Sequence, residues 1–309
     1  MHQTIIEKQT IKVANAPCSW GVLEFELEGE KKGFEQVLDE MKEAGYIGTE
    51  LGDWGFMPTD PVALRAELQK RELNLLGAFV PVALVNPEAQ AEGIERALRT
   101  AGLMHAAGYP NSFIVLADEN GSVPERTKKA GRVETFDLLD RESYRLIAKH
   151  AEALARAVKE KYGMRTVFHH HGAGYVETPQ EIEWLLEGSD PSVLGLCFDT
   201  GHYMLGGGTD PVGFIKKHFD RIWHVHFKDF DPLVRDKAAN ENWDYFQSVQ
   251  NGVFCELGKG AVPFEAIKTL LQDEGYNDWI VVEQDVLPGM GQPLECARKN
   301  RQYLASIQL

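Results

Sequence analysis

Eight short apolar runs, each followed by a stretch with apolar residues at helical spacing, extend from one end of the chain to the other. No other feature restricts the fold as much. The runs are Lys12–Pro17, Ile47–Leu51, Leu73–Val80, Ser112–Ala117, Arg165–His169, Val193–Phe198, Arg221–Lys228 and Trp279–Glu283. Helical spacing follows in Phe34–Ala44, Pro61–Arg71, Pro87–Ala107, Glu142–Tyr162, Pro179–Glu187, Pro211–His218, Phe264–Glu274 and Leu294–Ser306. Thr59 and Asp60 are capping candidates, and Gly45 and Gly163 are stop signals. Runs that are apolar throughout belong in a parallel sheet covered on both faces. Eight strand-then-helix units are the number that closes an α/β (β/α)8 TIM barrel. A doubly wound open sheet would want a glycine-rich turn after its first strand. The segment Ala16-Pro17-Cys18-Ser19-Trp20 offers none. Residues 1–309 are therefore expected to form one barrel domain, with long strand-end loops at 118–140 and 229–262. In a barrel both loops lie on the catalytic face, as a lid or wall.

Charge narrows the classes of function. The chain has 32 Lys and Arg against 47 Asp and Glu, a formal net charge of −15. That field repels phosphate backbones and argues against a nucleic-acid partner. Cys18, Cys197, Cys255 and Cys296 form no CxxC pair. They read as reduced thiols of a cytoplasmic protein. The opening MHQTIIEKQTIK is too polar for a signal peptide. The longest apolar stretch, Leu75–Val85, is too short to span a bilayer.

The chemistry gathers at strand ends. His169, His170, His171, His202, His224 and His226 stand at or just beyond the ends of strands five to seven. Asp199 ends strand six and Glu283 ends strand eight. A single buried histidine is more often a hydrogen-bonded structural residue, which is the reading for His170 and His224. Four successive strand ends each offering a ligand are another matter. His169, Asp199, His226 and Glu283 form a set of two imidazoles and two carboxylates suited to a divalent transition metal. His169 and His171 share one strand face, so both are candidates for the first position. Lys228 shares a face with His226 and lies nearer the mouth, where it would meet substrate. Trp20, Glu50 and Trp54, beyond strands one and two, are expected to border that substrate.

These residues resemble the xylose-isomerase-like TIM-barrel superfamily of sugar isomerases and epimerases over nearly the whole chain. The carriers are Thr49–Pro58 (TELGDWGFMP), Phe168–Thr178 (FHHHGAGYVET), Cys197–Pro211 (CFDTGHYMLGGGTDP), Asp220–Asp229 (DRIWHVHFKD) and Trp279–Asp285 (WIVVEQD). Within the superfamily the chain is most similar to the inosose (2-keto-myo-inositol) dehydratases. The stretch Val234–Gly260 and the HHHGAG and HVHFKD segments carry that closer likeness.

The resemblance implies one divalent metal, Mn or Co first and Zn, Mg or Fe as alternatives, on His169, Asp199, His226 and Glu283. In the epimerases the first position is a glutamate, and two opposed carboxylates serve the two faces of an enediolate. The histidine here implies a dehydratase of a cyclic keto-polyol. Glu283 would be its base, and Lys228, His202 and His171 the remaining catalytic groups. Lys228 and His202 are also expected to contact the substrate. The alternative is a metal-dependent sugar or keto-acid isomerase or epimerase. A DNA-repair endonuclease of the same superfamily conflicts with the net charge, and a metal-free binding barrel conflicts with the intact ligand set. The expected partner is a small polyol or sugar, without nucleic acid or membrane, and self-association into a homo-oligomer is left open. The dehydratases carry a lysine in strand three where this chain reads LLGAFVPVAL. The loop after strand four also differs, and the acidic run after strand eight is shorter.

Overall fold

The computed structural model describes residues 11–21 and 32–309, so most of the polar opening segment, residues 1–10, lies outside the described residues. In chain order the elements are β1 (Lys12–Asn15), α1 (Phe34–Glu43), β2 (Gly48–Thr49), α2 (Pro61–Lys70), β3 (Asn74–Leu75), β4 (Gly77–Val82), α3 (Gln90–Ala106), β5 (Phe113–Asp118), α4 (Pro124–Lys129) and α5 (Arg141–Tyr162). There follow β6 (Arg165–His169), α6 (Pro179–Gly188), β7 (Leu194–Asp199), α7 (Thr200–Leu205), α8 (Pro211–Lys217), β8 (Ile222–Phe227) and β9 (Asp229–Phe230). The last are α9 (Pro232–Glu241), α10 (Tyr245–Gln250), β10 (Phe254–Cys255), α11 (Phe264–Asp273), β11 (Trp279–Val282) and α12 (Pro293–Ser306).

One parallel sheet runs in the order β3-β2-β1-β11-β8-β7-β6-β5-β4. Its two ends are neighbours in sequence, and the Leu51 N–H donates to the Gly77 carbonyl at 2.8 Å, so the sheet curls back upon itself. This is a (β/α)8 TIM barrel. The helices form by ordinary means. Helix α5 places Tyr144, Ile147, Ala148, Ala151, Leu154, Ala155 and Val158 on one buried stripe. The Asp140 side chain caps its start, and Gly163, at φ 67°, closes its end in the left-handed region.

Several elements differ from the sequence expectation. The run Leu73–Val80 is not one strand. Residues Asn74–Leu75 pair with β2, and from Gly77 onward the chain pairs with β5. This switch of partner at Leu76 closes the sheet. The run Lys12–Pro17 stops pairing at Asn15, because Pro17 begins a 3-10 turn over Pro17–Trp20. The two long loops hold structure of their own. Residues 118–140 contain α4, and residues 229–262 contain α9, α10 and the antiparallel pair β9–β10. Helix α7 follows β7 without a loop. Asp199 ends the strand and caps the helix, with Oδ1 accepting the His202 N–H at 2.7 Å. Gly201 in that helix sits on the Lys228 backbone, where a Cβ would lie 2.9 Å from the Lys228 Cβ. Among the described residues no helix is long and apolar enough to cross a membrane.

Candidate metal centre

The parallel register brings the strand ends to one level. Asp199 is paired with His226 across β7 and β8, and His226 with Val281 across β8 and β11, two residues before Glu283. His169 ends β6 beside Cys197. His169 Nε2 lies 3.7 Å from Asp199 Oδ2, and His226 Nδ1 lies 3.9 Å from the same oxygen. Glu283 Oε1 lies 3.2 Å from His226 Nδ1. One ligand atom from each of the four residues falls within 4.8 Å of the other three.

Three of these residues are almost wholly buried, with His169 at 2%, Asp199 at 0% and His226 at 1% exposure. His169 Nε2, Asp199 Oδ2 and His226 Nδ1 make no hydrogen bond. Buried polar atoms are normally paired, and orphaned ones call for an explanation. Imidazole and carboxylate atoms that face one another without a hydrogen bond fit a divalent cation. The electrostatics agree. Burial disfavours a charge on His226, but Cys197, Glu283 and Glu50 outweigh it and raise the imidazole well above its ordinary range. Burial likewise opposes ionisation of Glu283, yet His226 and Lys228 hold that carboxyl well below the usual carboxylate value. A proton on His226 thus stands where a cation would compensate the carboxylates.

A surrounding set of groups orients the four. His226 Nε2 lies 3.0 Å from Glu50 Oε1, and His224 Nε2 lies 2.8 Å from the same oxygen. Glu50 therefore takes up the far nitrogen of His226 and leaves Nδ1 for a metal. A carboxylate behind an imidazole ligand has this function. Despite its burial, the two imidazoles lower the Glu50 carboxyl to about 2. Replacing Glu50 by Gln is expected to weaken metal affinity by about 10–100-fold, the usual loss for such a partner. Titrating the variant with Mn or Co under calorimetry measures this, and unchanged affinity would refute the orienting role.

A cleft of about 560 Å³ opens above the cluster, lined by Ala16, Pro17, Cys18, Glu50, Gly52, Asp53, Phe79, His169, His171, Lys228, Glu283 and Asp285. Lys228 Nζ lies 3.2 Å from Glu283 Oε2 and 3.0 Å from Asp285 Oδ2. The two carboxylates outweigh burial and raise the lysine well above its ordinary value, so it stays an ammonium. Glu283 thus turns one oxygen towards the four-residue cluster and the other towards Lys228.

Of the two histidines on one face, His169 joins the cluster and His171 lines the cleft. His202 packs against His171, ring centroids 4.0 Å apart, without lining the cleft. Burial and neighbouring His171 and Lys228 hold it well below the usual imidazole range, so it is neutral. His170 accepts the Asp199 N–H on Nε2 at 3.2 Å, a structural bond.

Three residues expected at the substrate, His202, Trp20 and Trp54, are not among those that line the cleft. Trp20 does not border the cleft, because its indole N–H donates to Glu40 Oε2 at 2.7 Å, on α1. Trp54 lies under the Arg99 guanidinium, 4.2 Å from the ring centroid, and 37% exposed. Glu50 does line the cleft, but its carboxylate is occupied by His224 and His226. Sequence reasoning passed over Asp53, Phe79 and Asp285. Only Asp285, two residues beyond Glu283, stood in a position that strand alternation would have flagged.

The xylose isomerase-like TIM barrel profile matches residues 38–307. An inosose dehydratase of Lacticaseibacillus casei (strain BL23) is 34% identical over 297 residues, covering 96% of each chain. Among solved structures, an IolI protein with a bound zinc atom superimposes with TM-score 0.70 at 15% identity, over 96% of this chain and 98% of that one. A probable 3-DHS dehydratase of Bacillus anthracis gives TM-score 0.69 at 14% identity, over 96% and 99%. At such identities the two structures speak for the fold alone.

Proposed function

The chain belongs to the xylose isomerase-like TIM barrel family, and on that premise we propose that it is a metal-dependent lyase that dehydrates a cyclic keto-polyol such as 2-keto-myo-inositol. The observation that carries this reading is the placement of Glu283. It is a carboxylate between the metal-type cluster and an ammonium, and it lines the cleft above that cluster. The inosose dehydratase name of a full-length relative supports the substrate class.

His169, Asp199, His226 and Glu283 would hold the cation. A divalent cation there acts as a Lewis acid on a ketone and acidifies the neighbouring C–H. Glu283, ionised, accepts that proton. The Lys228 ammonium faces Glu283 Oε2 and stabilises negative charge developing on substrate oxygen. His171 lines the cleft and His202 backs it; both are neutral, so they orient the β-hydroxyl, and the proton with which it leaves as water is the one that Glu283 has taken from carbon.

Incubating the Mn or Co form with 2-keto-myo-inositol in deuterated water tests the reading by mass spectrometry. The expected result is loss of one water with metal-dependent kinetics. Deuterium uptake without loss of water would replace the lyase by an epimerase or isomerase of the same family.

A further inference from the structure

The turn between β6 and α6 holds a conformation that its residues do not favour. Ala173 (φ 70°) and Val176 (φ 67°) both lie in the left-handed region and are fully buried. Side chains other than glycine enter that region at a cost, and a β-branched one most of all. Such strain persists only where the surroundings impose it. Here the restraints are explicit. The Glu177 carboxylate, 1% exposed, accepts the Ala173 N–H on Oε2 at 3.0 Å and the Gly131 N–H on Oε1 at 2.7 Å. Asp118 accepts the Tyr175 N–H at 2.8 Å, and Arg126 Nε donates to the Gly174 carbonyl at 2.9 Å. None of these three side chains lines the cleft.

What the turn delivers is Gly172. Its carbonyl lies 2.6 Å from His171 Nδ1, and its N–H donates to His202 Nδ1 at 3.2 Å. A carbonyl can only accept, so His171 carries its proton on Nδ1. A backbone N–H can only donate, so neutral His202 carries its proton on Nε2. One peptide residue thus sets two imidazoles, in contact and tilted by 33°, in opposite tautomers. His202 Nε2 is buried without a hydrogen-bond partner.

We propose that Glu177 is a positioning residue: by holding the strained turn it makes Gly172 fix His171 and His202 in opposite tautomers, so that His202 keeps its proton on Nε2 while His171 Nε2 stays an acceptor, 3.4 Å from the Tyr245 hydroxyl. The consequence for turnover rests on the dehydratase reading, in which this pair orients the leaving hydroxyl. The tautomers themselves do not.

Glu177→Gln keeps the shape of the side chain but turns an amide N–H2 towards one of the two backbone donors. In the full chain labelled with 15N-histidine, long-range 1H–15N NMR should show His202 passing from a single Nε2–H tautomer to a mixture. Turnover should fall at least about tenfold, as when a group that orients the substrate is displaced. Adding Ala173→Gly should restore the single tautomer and most of the turnover, because glycine takes positive φ without being forced. Fixed tautomers in Glu177→Gln, with only a lower melting temperature, would make Glu177 merely structural and overturn the proposal. If Glu177→Gln does not fold, the comparison is between Ala173→Gly and the double variant, and mixed tautomers in the double variant overturn it equally. If tautomers shift as stated while the parent chain leaves 2-keto-myo-inositol untouched, the positioning role stands and the dehydratase reading falls.

Discussion

Asp199→Asn is expected to strip the divalent cation from the chain while leaving the metal-free protein at least as stable as before. The two consequences have opposite signs because the two carboxylate oxygens have different duties. Oδ1 caps α7 by accepting the His202 N–H, and asparagine caps a helix about as well as aspartate. Oδ2 is fully buried and makes no hydrogen bond. Without a cation it faces the His226 imidazole at 3.9 Å, beyond hydrogen-bond reach, so a neutral amide there forfeits no bond. Metal affinity should fall by more than about 10²-fold, since losing only an outer partner of a ligand costs 10–100-fold. Elemental analysis after dialysis reads the first effect and the melting temperature of the metal-free chain the second. Full metal in the variant would remove Asp199 from the ligand set. In the parent chain, loading should also weaken as pH falls. Burial lowers the pKa of metal-free His226, but Cys197, Glu283 and Glu50 outweigh it and raise it, and a proton there must leave before Nδ1 can bind a cation. Retention is therefore complete on the alkaline side and is lost towards acid.

The barrel was legible because its strands are buried on both faces and therefore appear as uninterrupted apolar runs. The same property hid their limits. Nothing in LNLLGAFV marks Leu76 as the residue where pairing passes from β2 to β5, since partner choice is a matter of closure and not of polarity. The helices inside the long loops escaped for another reason. At six residues α10 is too short to build a periodic stripe, although Asp244 and Gln247 form a capping box there. Asp231 followed by Pro232 was a comparable signal for α9.

The four-residue cluster was readable because parallel strands of equal depth deliver their C-terminal residues to one level. Spacing within a strand then supplied Lys228 and separated His169 from His170. Glu50 was read as a substrate contact because its real partners stand 174 and 176 residues away, a relation that periodicity does not encode. The two tryptophans were misjudged by composition. Aromatic residues after a strand suggest the floor of a sugar site, whereas Trp20 satisfies its N–H on α1 and Trp54 gives its ring face to Arg99.

Glu283→Gln should lower turnover by about 10²–10⁴-fold, the contribution of a placed general base, and should abolish exchange of the substrate proton alpha to the ketone. Glu283 is both a candidate ligand and the candidate base, and the substitution separates the two duties. The glutamine carbonyl can still face the cluster in place of Oε1, so metal is expected to bind, more weakly. It cannot take a proton. The amide must also turn its N–H2 either towards His226 Nδ1 or towards Lys228 Nζ, each 3.2 Å from a carboxylate oxygen in the parent. The assay is therefore run at saturating Mn or Co, with occupancy measured on the same sample. Occupied enzyme without alpha exchange assigns the proton transfer to Glu283. Occupied enzyme that still exchanges deuterium at the parent rate would move the base elsewhere, and Asp285 would be the next residue to test. It lines the same cleft and shares Lys228 with Glu283, but it belongs to no group of prospective metal ligands among the described residues. Its replacement by Asn should leave metal occupancy unchanged, which distinguishes a displaced base from a lost ligand.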